Sequence, residues 1–159
     1  VDPAALAWAR RNIADHGGRV ELHAVDVREP DLLCDLAGRV DLLLCNPPYV
    51  NADSMAALPP EFRAEPALAL AGGADGMDFI RSLLAQAPAH MTADAVLVLE
   101  IGNERAHFEA AFPALEVVWL PTQATDDGVL LVTRGALAAP GALAPDRAPA
   151  SARTRKDRS

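Results

Sequence analysis

The stretch "LLLCNPPYV", residues 42–50, decides how the fold of this chain is read. It begins with an apolar run, of the kind that forms a strand buried on both faces of a parallel sheet. Two adjacent prolines then remove two backbone N–H donors, so the strand has to end at Asn46. The stretch therefore predicts a buried strand over residues 39–45, with Asn46 and Tyr49 at its carboxyl end.

Helix and strand patterns alternate on the N-terminal side of this strand. Residues 4–16 carry apolar residues at helical spacing, with Asp2 placed to cap the helix and Gly17 to end it. Residues 20–25 alternate as a short strand does, and residues 30–38 predict a brief helix. This order of elements predicts an α/β fold.

Five more elements are predicted on the C-terminal side. A helix is predicted over residues 75–87, capped by Asp75, with an apolar stripe formed by Met77, Ile80, Leu84 and Ala87. A second helix is predicted over residues 104–111, capped by Asn103, and strands are predicted over residues 95–102, 115–120 and 127–134. The last two strands are joined by the polar turn "PTQATD", which favours an antiparallel C-terminal pair. The segment 46–74 is rich in Pro, Ala and Gly, and a loop of that length is usually functional or disordered.

Composition limits the organisation of the chain. It has 159 residues, of which 51% are hydrophobic, enough for one domain with a sizeable core. After residue 134 the sequence is poor in large apolar residues, so we expect a domain over residues 1–134 and a disordered Ala/Pro/Arg-rich tail over 135–159. The chain opens without Met and directly in a helix, so we expect it to be part of a longer protein.

Charge and residue counts exclude several classes of function. A net charge of −8 argues against stable DNA binding and suits a basic partner. The two cysteines are too few for a disulfide framework, and no apolar run reaches membrane-spanning length, so we expect a cytoplasmic protein with no membrane partner. The four histidines lack metal-binding spacing, and no metal site is expected.

The residues around the proline pair suit one kind of chemistry. The side-chain carbonyl of Asn46 can accept a hydrogen bond from a planar NH₂ group, a backbone carbonyl beside the prolines can accept a second, and Tyr49 can lie over the plane. An amide nitrogen is a poor nucleophile, and positioning alone can lower a barrier by roughly 7–11 kcal/mol. The pattern fits alkylation of such a nitrogen by an activated donor such as a sulfonium methyl. A turn that merely ends a strand is the alternative.

The quoted residues also resemble a known family. "NPPY" resembles the signature of the amino-methylating class I methyltransferases that use S-adenosyl-L-methionine (AdoMet), which include adenine N6 DNA methylases and protein-(glutamine-N5) methyltransferases. The longer stretch "NPPYVNADSMAALPPEFRAEPALALAGGADGMDFIRSLL" resembles the glutamine branch, and "MAALP" and "PPEFRAEP" favour the enzymes that methylate ribosomal protein uL3. The likeness runs from residue 1 to about residue 134, with "LEIGN" and "DGVLLVTR" also fitting.

This resemblance implies a Rossmann-like class I methyltransferase fold that is partial, without its first strands and its glycine-rich AdoMet-binding loop. It implies that the motif holds the substrate glutamine, that Asn46 also lies near the AdoMet methyl group, and that Asp26 contacts the adenine. The catalytic residues implied are Asn46, Pro47, Pro48 and Tyr49, and a substrate-side loop is implied for Glu65, Pro66, Gly72 and Gly73.

The function expected is methyl transfer from AdoMet to the side-chain amide nitrogen of a glutamine in a ribosomal protein. Three alternatives stay open: a release-factor glutamine methyltransferase, a nucleic-acid adenine N6-methyltransferase, and a non-enzymatic fragment. Individual residues have simpler interpretations as well. Asp26 could be a turn residue, Glu65 a solvated loop carboxylate, Glu100 a strand-end carboxylate with a local hydrogen bond, and Cys45 a small buried apolar side chain.

Overall fold

The computed structural model describes residues 2–25, 36–56, 67–123 and 125–144. The chain divides into two compact units, Val1–Asp35 and Leu36–Ser159, each of which is described by itself. Among the described helices, none combines the length and apolar character that crossing a bilayer requires.

The first unit contains helix α1, Pro3–His16, where the sequence predicts a helix. Asp2 caps it, since its Oδ1 accepts a hydrogen bond from the N–H of Ala4 at 2.8 Å. Gly17 ends it at φ 65°, a left-handed conformation that glycine adopts without strain. The predicted cap and end of this helix are confirmed.

The strand predicted over residues 20–25 is wrong, because these residues form no strand and are exposed. An alternating pattern shows which side of a strand would face a core, but a strand also needs a neighbour for its backbone groups. No described residue supplies that neighbour. The helix predicted over residues 30–38 lies mostly outside the described residues, and residues 36–38 form a turn.

The second unit is built on a four-stranded sheet with the strand order β1-β2-β4-β3. The strands are β1 Val40–Cys45, β2 Met91–Glu100, β3 Val118–Trp119 and β4 Val129–Thr133. β1 and β2 are parallel, whereas β4 runs antiparallel to both of its neighbours. The mixed α/β architecture and the antiparallel C-terminal pair are thus confirmed.

Helices connect and cover these strands. They are α2 Ala52–Ala56, α3 Ala67–Leu70, α4 Asp78–His90, α5 Arg105–Ala111 and α6 Arg134–Leu137. The stripe predicted for α4 is buried, from Met77 and Ile80 to Leu84 and Ala87. It joins a core that also contains Leu97, Leu99, Ile101, Phe108, Leu130 and Val132. This core fixes β2 and β4 in the middle of the sheet.

The prediction that β1 is buried on both faces is wrong. Leu43 and Cys45 pack against the core, but Leu42 is 52% exposed and Leu44 69% exposed. The described residues cover only one face of β1 and give it a neighbour on only one side. The apolar run of β1 therefore contains side chains that the described residues do not bury.

Two helices do not begin at the capping residues predicted for them. α4 begins after Met77, because the carboxylate of Asp75 accepts a hydrogen bond from the N–H of Met77 at 3.0 Å and pairs with Arg81. α5 follows Glu104, and Asn103 is an exposed residue before it. Short polar side chains have several local backbone partners, so a sequence pattern can place a cap a few residues away from its true position.

Two segments expected to be irregular contain structure. The segment 46–74 includes α2 and α3, although residues 57–66 between them lie outside the described residues. The start of the expected disordered tail is folded: α6 is followed by turns to residue 144, with Leu137 and Ala142 buried. The rest of the tail, residues 145–159, lies outside the described residues.

Candidate functional site

Asn46 leaves β1 beside the last residue of β2. The parallel register sets Cys45 opposite Leu99, so the next residues along the two strands, Asn46 and Glu100, lie together at the carboxyl end of the sheet. The Nδ2 of Asn46 donates a hydrogen bond to Oε2 of Glu100 at 2.7 Å. This bond directs the NH₂ of Asn46 toward the carboxylate and leaves its carbonyl oxygen on the other side of the amide.

Tyr49 packs its ring against Gly102. A Cβ atom at Gly102 would lie 2.8 Å from the Cε2 of Tyr49 and 3.0 Å from its hydroxyl oxygen. Gly102 has φ +54°, which also favours glycine. Between Asn46 and the half-buried Tyr49, Pro47 is buried and Pro48 half-buried. The ring of Tyr49 therefore packs against the backbone of Gly102, and the preceding proline pair restricts the backbone that carries it.

The glycine turn after α3 holds the backbone of the motif. The N–H of Val50 donates to the carbonyl of Leu70 at 2.9 Å, and the N–H of Gly72 donates to the carbonyl of Val50 at 2.9 Å. A side chain at Gly72 would collide with the backbone of Tyr49, at 2.8 Å from its carbonyl carbon. Gly73 has φ +95° and lies against the carboxylate of Asp78. This turn is a backbone support for the motif.

A buried polar pair lies beneath the site. Asn51 is 8% exposed and Glu104 7% exposed. The Nδ2 of Asn51 donates to both carboxylate oxygens of Glu104, at 2.9 and 3.0 Å, and its Oδ1 accepts from the N–H of Ser54 at 2.8 Å. The Nδ1 of His107 lies 2.6 Å from Oε2 of Glu104. Because buried carboxylates are costly without partners, this pair ties the start of α2 firmly to the start of α5.

A cavity of about 590 Å³ opens beside these side chains, a size typical of small-molecule sites. Its lining mixes amides, a carboxylate and apolar groups. The lining residues are Asn46, Pro47, Tyr49, Val50, Ser54, Ala69, Leu70, Gly102, Asn103 and Glu104. The cavity thus brings the proline motif together with the residues that follow β2.

Comparison with protein-family models gives no match for this chain. Curated proteins do match it, and several are named ribosomal protein uL3 glutamine methyltransferase. The relative from Bordetella pertussis is 56% identical over 135 residues, covering 84% of this chain and 44% of the relative. Those from Burkholderia pseudomallei and Bradyrhizobium diazoefficiens are 51% and 46% identical, covering 80% and 83% of this chain and 43% and 41% of their own lengths.

The chain is homologous to one part of the uL3 glutamine methyltransferases. The resemblance found in its motifs is confirmed at this level. The chain spans less than half the length of each of these three relatives.

The structure brings some of the site residues expected from the sequence together and does not describe others. The four residues of the "NPPY" motif line or flank the cavity, Gly72 lies against the backbone of Tyr49, and Gly73 lies against the carboxylate of Asp78. Asp26, Glu65 and Pro66 lie outside the described residues, so their roles stay predictions. Within the described residues, no group of three or more His, Cys, Asp or Glu side chains could hold a metal ion.

Cys45, next to Asn46, is a half-buried side chain that packs against the core. Burial raises the pKa of its thiol to about 11. At neutral pH it is a thiol and not a thiolate, so it lacks the form in which cysteine acts as a nucleophile. The structure favours the interpretation of Cys45 as a small apolar side chain.

Sequence reasoning undervalued Glu100 and missed the pair of Asn51 and Glu104. Glu100 was expected to make a local hydrogen bond, which is wrong, since its partner Asn46 is 54 residues away. The available signal was its position at the end of a strand, because the carboxyl ends of parallel strands meet at one edge. The partners Asn51 and Glu104 are 53 residues apart, and nothing in the local pattern links them.

Proposed function

We propose that this chain forms the substrate side of an active site that transfers a methyl group from AdoMet to the side-chain amide nitrogen of a glutamine in a ribosomal protein. The observation that carries the proposal is the amide of Asn46, oriented by Glu100 at the end of β1 and adjoining the ring of Tyr49 in one cavity. The homologous proteins are named for methylation of a glutamine of ribosomal protein uL3, which supports the proposal.

The orientation of Asn46 suits recognition of a primary amide. Its Nδ2 is engaged by Glu100, so its Oδ1 is the atom that would accept a hydrogen bond from the NH₂ of a glutamine. A backbone carbonyl of the proline segment would accept the second proton of that NH₂. Tyr49 would cover the plane of the amide, as aromatic rings do with flat polar groups. Together these contacts would hold the nitrogen in one direction.

Holding the nitrogen is the main help that this reaction needs. The nitrogen is a weak nucleophile, and orientation at the correct distance can lower the barrier by roughly 7–11 kcal/mol. AdoMet supplies the activated methyl group on a positively charged sulfonium. The carboxylate of Glu104, which lines the cavity, gives this part of the site a negative charge that fits a cationic donor. A class I Rossmann-like fold is part of the proposal, supported by the parallel pair β1–β2 with β4 antiparallel beside it.

Charge supports a ribosomal protein as the substrate. The chain has a net charge of −8, and proteins that bind ribosomal RNA are basic, so encounter between the two would be favoured. The same charge disfavours a DNA substrate, because affinity for phosphates depends on clustered Lys and Arg. Ribosomal proteins are made in the cytoplasm, where we place the reaction.

The test is a methylation assay with the longest protein that the gene encodes. It is incubated with methyl-labelled AdoMet in three separate reactions, which contain ribosomal protein uL3, a peptide-chain release factor or duplex DNA as the substrate. Mass spectrometry then locates the label. We expect it on one glutamine amide of uL3 and expect its loss when that glutamine is replaced by glutamate. Label on a release-factor glutamine or on adenine would refute the proposed substrate, and no label on any of them would favour a non-enzymatic protein.

A further inference from the structure

Glu100 accepts a hydrogen bond from Asn46, so its carboxylate can influence both the orientation and the polarity of the Asn46 amide. We infer that Glu100 is a positioning residue: it selects the orientation of the Asn46 amide in which Oδ1 faces the substrate, and it strengthens that oxygen as an acceptor. The inference rests on the proposed function and adds a role for a residue outside the "NPPY" motif.

The backbone holds Glu100 firmly in place. It is the last residue of β2, with Leu99 before it and Ile101 after it, both fully buried. Glu100 is paired with Val129 in the antiparallel register, and the N–H of Ile101 donates to the carbonyl of Gly128 at 2.8 Å. Because successive side chains of a strand point to opposite faces, the burial of both neighbours turns Glu100 toward Asn46.

A carboxylate can discriminate between the two orientations of an amide. An asparagine side chain has one end that donates and one end that accepts, and rotation by half a turn exchanges them. An ionised carboxylate only accepts, so the 2.7 Å contact is favourable only when the NH₂ of Asn46 faces Glu100. In the opposite orientation two acceptors would meet, and the NH₂ of Asn46 would face the NH₂ of the glutamine. Glu100 therefore excludes the unproductive orientation.

The charge of Glu100 has a second effect. Hydrogen bonds in a chain polarise one another, so a carboxylate behind Asn46 makes its Oδ1 a stronger acceptor. As the new N–CH₃ bond forms and the S–CH₃ bond breaks, the glutamine nitrogen gains positive charge, which it loses when it releases one proton to water. A negative charge one hydrogen bond away stabilises that change more than it stabilises the neutral amide.

A structural role alone would have a small effect. The hydrogen bond between Asn46 and Glu100 is exposed, and exposed bonds of this kind contribute little to folding. The core around β2 does not depend on it, since Leu97, Leu99 and Ile101 are fully buried without the carboxylate. Stability and activity should therefore respond differently to a change at Glu100.

The test compares Glu100→Gln and Glu100→Ala in the longest protein that the gene encodes, with Asp94→Ala as a matched control. Asp94 is an exposed carboxylate nearer the other end of the same strand. In Glu100→Gln the side chain can still accept a hydrogen bond from Asn46 but lacks the charge, so we expect kcat to fall about tenfold. In Glu100→Ala both the bond and the charge are lost, so we expect kcat to fall about a hundredfold. The KM for AdoMet should stay within about twofold of wild type in both variants. The control should keep the wild-type kcat.

An NMR measurement tests the orientation without activity. In the ¹⁵N spectrum, the side-chain NH₂ signals of Asn46 should shift in Glu100→Ala relative to wild type, because the hydrogen bond to the carboxylate is lost, and they should stay in place in Asp94→Ala. An unchanged kcat in Glu100→Ala, or Asn46 signals that do not move in that variant, would overturn the inference.

The two proposals fail in distinguishable ways. If Asn46→Ala abolishes activity while Glu100→Ala does not, the role of Glu100 is refuted and the proposed function stands. If the wild-type protein methylates none of the substrates tested, the proposed function is refuted and the role of Glu100 in catalysis with it, while the NMR comparison of wild type with Glu100→Ala still decides whether Glu100 orients Asn46.

Discussion

Replacing Gly102 with alanine should displace Tyr49 and reduce methyl transfer while leaving the fold intact. The new Cβ would lie 2.8 Å from Cε2 of Tyr49, whereas ordinary contacts begin at 3.4 Å, so the ring has to retreat by at least about 0.6 Å. A misplacement of about 1 Å at a reacting centre can cost about a hundredfold in rate. We therefore expect kcat to fall between about tenfold and a hundredfold.

The same substitution has a separate cost in stability. Gly102 has φ +54°, and an alanine in the left-handed region costs about 1–2 kcal/mol in the free energy of unfolding. Gly38→Ala is the matched control, because Gly38 has φ +64° and no atom within 4 Å of the position that a Cβ would take. It should lose a similar amount of stability and keep its kcat.

Urea denaturation measures the cost in stability, and the ring signals of Tyr49, the single tyrosine of the chain, report the displacement directly by NMR. The longest protein that the gene encodes is used for the rates. Equal rates for the two alanine variants, or unmoved Tyr49 signals in Gly102→Ala, would refute the reasoning that the backbone at Gly102 sets the position of the ring.

Two further predictions concern titrating groups. Since burial raises the pKa of Cys45 to about 11, iodoacetamide should alkylate a Cys34→Ser variant slowly at about pH 8 and faster as the pH rises toward 11, and rapid alkylation at about pH 8 would contradict this. The hydrogen bond from Arg81 lowers the pKa of Asp75 from 3.8 to about 2, so this pair stabilises the fold above about pH 4 and stops doing so as the pH falls through about 2. Arg81→Gln should move the NMR titration midpoint of Asp75 back toward 3.8, and an unchanged midpoint would exclude Arg81 as the cause.

Local sequence patterns predicted the elements that local chemistry controls. The proline pair ends β1 at Cys45, the cap at Asp2 begins α1, and the apolar stripe from Met77 to Ala87 is buried as its spacing indicates. In each case the residues that determine the structure are neighbours in the chain or lie on one face of one helix. Such features do not depend on which other segment packs beside them.

Features that depend on partners elsewhere in the chain were not predictable in the same way. The contact of Asn46 with Glu100 follows from the register of two strands about 50 residues apart, and the sequence does not state that register. Leu44 was predicted to be buried but is exposed. An apolar run indicates that a strand can be buried, but it does not show which other segment of the protein would cover it. The role of Gly102 required the position of the Tyr49 ring, which only the folded chain defines.

The central claim is that Asn46 holds the reacting amide, and the most direct measurement is the rate at which Asn46→Ala transfers methyl groups to glutamine in the longest protein that the gene encodes. The account predicts a loss of about a hundredfold or more in kcat, as for removal of a preorganised hydrogen-bonding group, with a free energy of unfolding within about 1 kcal/mol of wild type. An Asn46→Ala protein that methylates glutamine at the wild-type rate would contradict it.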